Sequence, residues 1–159
     1  REMGAVTLLN PAPADTLIHG MLEYTDWLLP NETEFALLAQ EMHELPLAHL
    51  FFAIKEFATR TNTNMVVTAG EKGALLYRPK LDKEVQQIHT TQVDVKDSTG
   101  AGDAFCGTFA YGLSVGLEPE TAIKLANAVA SDSVQKLGTQ TSYARGEVLE
   151  KIVASALKK

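Results

Sequence analysis

Asp97-Ser98-Thr99-Gly100-Ala101-Gly102-Asp103 is the segment on which the fold turns, because a strand pattern over 85–95 precedes it and a helical pattern over 101–114 follows. Small residues at the mouth of a helix let free backbone N–H groups point at an anion with no Cβ in the way, and the helix dipole adds to the attraction. The segment is therefore built like an anion hole. Asp103 falls in the first helical turn beside it, where a carboxylate can accept a proton from a hydroxyl as a phosphoryl group transfers. A glycine-rich turn with an acidic first-turn residue satisfying the dipole accounts for the same residues without a ligand.

Working outward, Met65-Val66-Val67-Thr68 is the clearest strand, and Ala69-Gly70-Glu71-Lys72-Gly73 joins it to Ala74-Leu75-Leu76-Tyr77 through a hairpin-like turn. The apolar runs 4–9 and 27–29 read as buried strands, closed by Asn10-Pro11-Ala12-Pro13 and by Pro30. A weakly helical pattern covers 14–24, and a firmer one covers 31–40. Over 47–60 apolar residues at Leu50, Phe51, Ile54 and Phe57 line one helical face, which the cluster Thr61-Asn62-Thr63-Asn64 ends. After 101–114, further helices are expected over 119–136, with Pro119 in its first turn and Gly138 beyond, and over 146–157. Strands alternating with helices imply right-handed βαβ units, so the fold class is α/β: a parallel sheet with flanking helices. Ligands in such sheets bind beyond the carboxyl ends of the strands, here the loops after Leu9, Leu29, Thr68 and Val95.

The 159 residues suffice for one domain and not for two of ordinary size. Lys and Arg number 14 against 20 Asp and Glu, a net charge of −6. That sign argues against nucleic acid and anionic membrane as partners. With 45% hydrophobic and 21% charged residues the chain can bury a core. One cysteine, Cys106, rules out an internal disulfide framework. No apolar run approaches the roughly 18 residues that span a bilayer, and a reducing, cytosol-like compartment fits. An apolar run begins almost at once after Arg1, with no signal segment, as in a chain joined mid-domain.

Other motifs narrow the chemistry. A dinucleotide fingerprint needs a third small residue where this chain has Phe105, and no G-x-x-x-x-G-K-[ST] loop is present. Asn31-Glu32-Thr33-Glu34 has the spacing of a capping box, and it also offers an amide to nucleotide phosphates and a carboxylate to magnesium through water. The turn Thr68 to Gly73 lets backbone approach a nucleotide, or is simply a hairpin turn. Asn127 among alanines is equally a structural hydrogen bonder or a ligand, Cys106 reads as a core position, and the four histidines lack ligand spacing.

Taken in order, Asn10-Pro11-Ala12-Pro13, Asn31-Glu32-Thr33-Glu34, Thr68-Ala69-Gly70 with Gly73, Asp97 to Asp103 and Lys136-Leu137-Gly138 resemble the C-terminal half of a ribokinase-like (PfkB family) carbohydrate kinase. The likeness covers essentially the whole chain, and the first two segments are closer to the ribokinase branch than to the fructokinase or adenosine kinase branches. It implies a Rossmann-like three-layer fold, incomplete here, with 1–159 as the nucleotide-binding and catalytic half and the sugar-binding half and β-stranded lid absent. It implies ATP-dependent phosphorylation of a sugar hydroxyl, first of all D-ribose to D-ribose 5-phosphate. The alternatives are another PfkB-type kinase, acting on fructose or a nucleoside, and a nucleotide-binding module without catalysis. By motif position Asp103 would be the catalytic base, and Gly100, Ala101 and Gly102 the anion hole. Asn31, Gly102, Asn127 and the run Thr68, Ala69, Gly70, Glu71, Lys72, Gly73 would bind ATP, and Glu34 would orient Mg2+ through water. An activating K+ would lie at Asp97, Thr99, Ser133, Lys136, Gly138 and Ser142, several acting through backbone carbonyls. The resemblance also implies a cytoplasmic homodimer for the whole protein. Without a half that positions and shields the sugar, the chain alone is expected to transfer little or no phosphate. The stretch 41–49 lacks the small-residue turn common in the family after that helix.

Overall fold

A computed structural model describes residues 4–14, 20–41 and 49–157. The helical expectation over 15–19 and the connection over 42–48, with His19 and His43, lie outside the described residues. The chain divides into two compact units, one holding residues through Ala69 together with Leu75–Gln87, the other holding Gly70–Ala74 and Ile88 onward.

A sheet of five strands in sequential order lies in the first unit except for Ala74 and Ile88: β1 (Leu8–Leu9), β2 (Trp27–Leu28), β3 (Asn64–Thr68), β4 (Ala74–Tyr77) and β5 (Gln86–Ile88). β1 pairs parallel to β2, with Leu8 opposite Trp27, and β2 pairs parallel to β3, with Leu28 opposite Met65. Parallel neighbours need a crossover of about a dozen residues or more. The connection Ala69–Gly73 is far too short for one, so the sheet is mixed and its parallel part is β1 to β3. The strand expected over 4–9 contracts to β1. Gly4 takes φ 73°, and Thr7 turns its amide and hydroxyl to the Asp26 carboxylate at 2.9 and 3.0 Å.

Helices α1 (Glu32–Glu41) and α2 (Leu50–Thr61) cover this sheet. Leu28, Phe35, Leu38, Ile54, Phe57, Met65 and Val67 form the core, with the Phe35 and Phe57 rings edge to face at 5.6 Å. The buried face of α2 is Ala53, Ile54, Phe57 and Ala58, with Leu50 partly buried against it. Phe51, expected on that face, is 47% exposed. One residue is a 100° step around a helix, and that step carries it off the stripe. Asn62, at φ 52°, ends α2 where its amide donates to the Ala58 carbonyl. Residues 21–24 form a single 3-10 turn.

The second unit contains α3 (Ala101–Ser114), α4 (Pro119–Ser133) and α5 (Glu147–Ala156). α3 and α4 pack closely because Gly112 is bare: a Cβ there would stand 2.7 Å from Ala122 Cβ. α4 stops at Ser133, short of the 136 expected. The Val134 carbonyl accepts the amides of Lys96 and Asp97, and the Lys136 amide tightens onto the Ser133 carbonyl. No described helix is long and apolar enough to cross a membrane.

Candidate functional site

Gly100 caps α3 with φ 82°, a left-handed backbone that glycine adopts without strain, and its carbonyl accepts the Ala104 amide at 2.9 Å. The Ala101 amide, expected in the anion hole, donates to the Ser98 carbonyl at 3.2 Å. The amides of Gly102 and Asp103 have no acceptor among the described residues, as the first turn of a helix dictates. Nothing lies within 4 Å of where a Cβ on Gly102 would stand, and Asp103 is exposed on the same turn. The mouth of α3 thus offers two outward N–H groups, the positive end of a helix dipole and one carboxylate.

Asp97 fastens the preceding turn. One carboxylate oxygen accepts the Thr99 amide at 2.9 Å and the other the Gly138 amide at 3.0 Å. Hydrogen bonding from Thr99, through hydroxyl and amide, and from Gly138 holds this carboxyl below the usual aspartate range. Ser133 and Ser142 are buried and donate their hydroxyl protons to the carbonyls of Ala130 and Thr139 at 2.8 and 2.6 Å. Their oxygens keep lone pairs, so the set around this loop is a carboxylate, hydroxyls and backbone carbonyls, all oxygen, which fits a hard cation. Lys136 enters through its side chain: its ammonium donates to the Ser142 carbonyl at 3.2 Å and pairs with Asp132.

In the first unit Asn31 and Glu34 form a reciprocal capping box at the start of α1. Asn31 Oδ1 accepts the Glu34 amide and Glu34 Oε2 accepts the Asn31 amide, both at 2.8 Å. Thr68 is bridged to Asn31 in parallel, its amide donating to the Pro30 carbonyl at 3.0 Å. One Glu34 oxygen has no donor among the described residues, a donor set suited to holding magnesium through its water and not to a full inner shell.

After Thr68 and the buried Ala69, residues Gly70, Glu71 and Lys72 form an exposed 3-10 turn that the Gly73 amide closes onto the Gly70 carbonyl at 3.0 Å. Gly73 is required by packing, since a Cβ would stand 2.1 Å from the Ile88 carbonyl oxygen. Asn127, nearly buried on α4, donates to the same Ile88 carbonyl at 3.2 Å. The turn, the end of β5 and Asn127 are therefore brought together. Asn127 also lines a cavity of about 530 Å³, with His89, Thr90, Lys124, Ser131 and Gln135. Cys106 lies half-buried on α3.

Sequence reasoning missed three participants: Val134, whose carbonyl receives the turn, Asp132, which pairs with Lys136, and Tyr143. The Tyr143 hydroxyl donates to the Gly100 carbonyl at 3.3 Å. Burial, and then the charge of Asp103, push its phenol above the ordinary range. The only signal in the sequence was that Tyr143 follows Ser142.

The model of the pfkB family carbohydrate kinases matches residues 1–145. Deoxyribokinase from Salmonella typhi is 38% identical over 146 residues, covering 90% of this chain and 46% of its own. Ribokinase from Thermotoga maritima shares the fold over 98% of this chain and 50% of its own, with a TM-score of 0.85 at 32% identity. Arabidopsis thaliana ribokinase, solved with ribose and ATP, does so over 96% and 48%, with a TM-score of 0.83 at 27% identity. The chain spans about half the length of the curated relatives it matches. With a family model matched from residue 1 to 145 and its fold shared with solved ribokinases, the chain belongs to the pfkB family of carbohydrate kinases.

Proposed function

We propose that this chain carries the nucleotide-binding and phosphoryl-transfer residues of an ATP-dependent kinase whose acceptor is a pentose, D-ribose first, and that Asp103 is its base. The observation that carries this is the open first turn of α3. Glycine inside a helix costs about 1 kcal/mol relative to alanine, and no protein atom occupies the space over Gly102. That space is suited to an anion approaching the Gly102 and Asp103 amides.

In the transfer Asp103 accepts the proton of the sugar hydroxyl, whose oxygen attacks the γ-phosphorus as ADP leaves. The two amides and the α3 dipole stabilise charge on the transferring group, and being fixed beforehand they do so without reorganisation. Asn31 and the Thr68 to Gly73 turn are assigned to the nucleotide, and Asn127 with its cavity to the base. Glu34 would orient magnesium through its water, and the metal would neutralise phosphate charge. The Asp97 loop would hold a potassium ion, which would fix loop geometry without entering the chemistry.

Calorimetric titration of the chain with magnesium-ATP tests the nucleotide assignment. Transfer to ribose is measured on the chain completed with the half of Thermotoga maritima ribokinase that it does not match; the added half supplies the sugar site, so the readout tests phosphoryl transfer by this chain's residues. Asp103→Asn is expected to abolish ADP release while leaving ATP binding nearly intact. Wild-type turnover in that variant would remove Asp103 as the base.

A further inference from the structure

Tyr143 stands where the turn after Thr139 meets the mouth of α3. Its hydroxyl and the Ala104 amide converge on one acceptor, the Gly100 carbonyl, at 3.3 and 2.9 Å. The N–H at the other end of that peptide, Ala101, is held by the Ser98 carbonyl at 3.2 Å. Both hydrogen-bonding groups of the Gly100–Ala101 peptide are thus engaged, by two partners within the turn and helix and by one 43 positions away. Space is tight as well: a Cβ on Gly100 would stand 2.7 Å from Tyr143 Oη and 2.5 Å from Thr139 Cγ2. The orientation of this peptide sets the direction in which α3 begins, and with it the aim of the next two amides.

We propose that Tyr143 is a positioning residue for the anion site, its hydroxyl locking the Gly100–Ala101 peptide so that the Gly102 and Asp103 amides stay aimed at a phosphoryl oxygen. The proposal rests on the phosphoryl-transfer assignment above. A tyrosine phenol is protonated at neutral pH, so it can donate to the Gly100 carbonyl. Donors fixed in advance stabilise developing charge because nothing need reorient, whereas a loosened peptide lets the amides turn toward water.

Tyr143→Phe removes the hydroxyl and keeps the ring, and Tyr143→Ala removes both. Without ligand, amide hydrogen exchange over residues 98–104 is expected to accelerate in Tyr143→Phe while β3 is unchanged. In calorimetry Tyr143→Phe is expected to weaken magnesium-ATP about 2- to 10-fold, the worth of one hydrogen bond, and to leave adenosine affinity unchanged. Equal exchange and equal magnesium-ATP affinity in Tyr143→Phe and wild type, with only Tyr143→Ala disturbed, overturns the proposal in favour of simple packing. Equal weakening of ATP and adenosine overturns it in favour of general loosening. A wild-type chain that binds no magnesium-ATP overturns the nucleotide assignment, and the proposal with it, whereas normal ATP binding in Tyr143→Phe removes Tyr143 alone.

Discussion

The carboxylate of Asp97 accepts the backbone amide of Gly138 at 3.0 Å, joining the turn before α3 to the loop after α4 across 41 residues of sequence. Because Thr99 and Gly138 lower the carboxyl's folded-state proton affinity, the bond's contribution is complete above the unfolded aspartate pKa of about 3.9. It is lost as pH falls from there through the lower folded value. Unfolding midpoints measured from about pH 6 down to pH 2 should therefore fall more steeply for wild type than for Asp97→Asn. Parallel curves would mean that the bond carries no acid sensitivity.

Two glycines in one turn should respond oppositely to alanine. Gly102→Ala enters open space and is expected to raise unfolding free energy by about 0.5–1 kcal/mol while weakening magnesium-ATP. Gly100→Ala meets Thr139 Cγ2 at 2.5 Å on a left-handed backbone, so its stability should drop by more than about 1 kcal/mol. Denaturant titration beside calorimetry checks both.

The capping box separates structure from chemistry. Asn31→Ala removes an N-cap and should cost about 1 kcal/mol of stability. Glu34→Gln retains an oxygen for the Asn31 amide, so its unfolding midpoint should stay near wild type while the magnesium dependence of ATP affinity weakens. Unchanged magnesium dependence would leave Glu34 with its cap alone.

A potassium ion at the Asp97 loop would bind the folded state only and so raise the melting temperature. Potassium chloride should raise it more than sodium chloride at equal ionic strength, and Asp97→Ala should erase the difference. Identical melting curves in the two salts for wild type would dismiss the ion.

Wherever the signal is local, the sequence determined the outcome. The start of α3 follows from Gly100 and the rise in helical pattern, Pro119 opens α4, and the alternation of strand and helix specifies the α/β class. The capping box was legible because both of its partners lie within one helical turn. Only tertiary structure decided the rest. Phe51 is exposed because the packing of α2 selected a stripe one position away, and α4 ends at Ser133 because Val134 is claimed by Lys96 and Asp97. The Ala101 amide is closed onto the Ser98 carbonyl, and the Tyr143 hydroxyl meets the Gly100 carbonyl, through bonds whose partners are set by how the turn folds back. Caps and turns are fixed by neighbours in sequence, but a carbonyl shared by residues 43 positions apart exists only once the chain has brought them together.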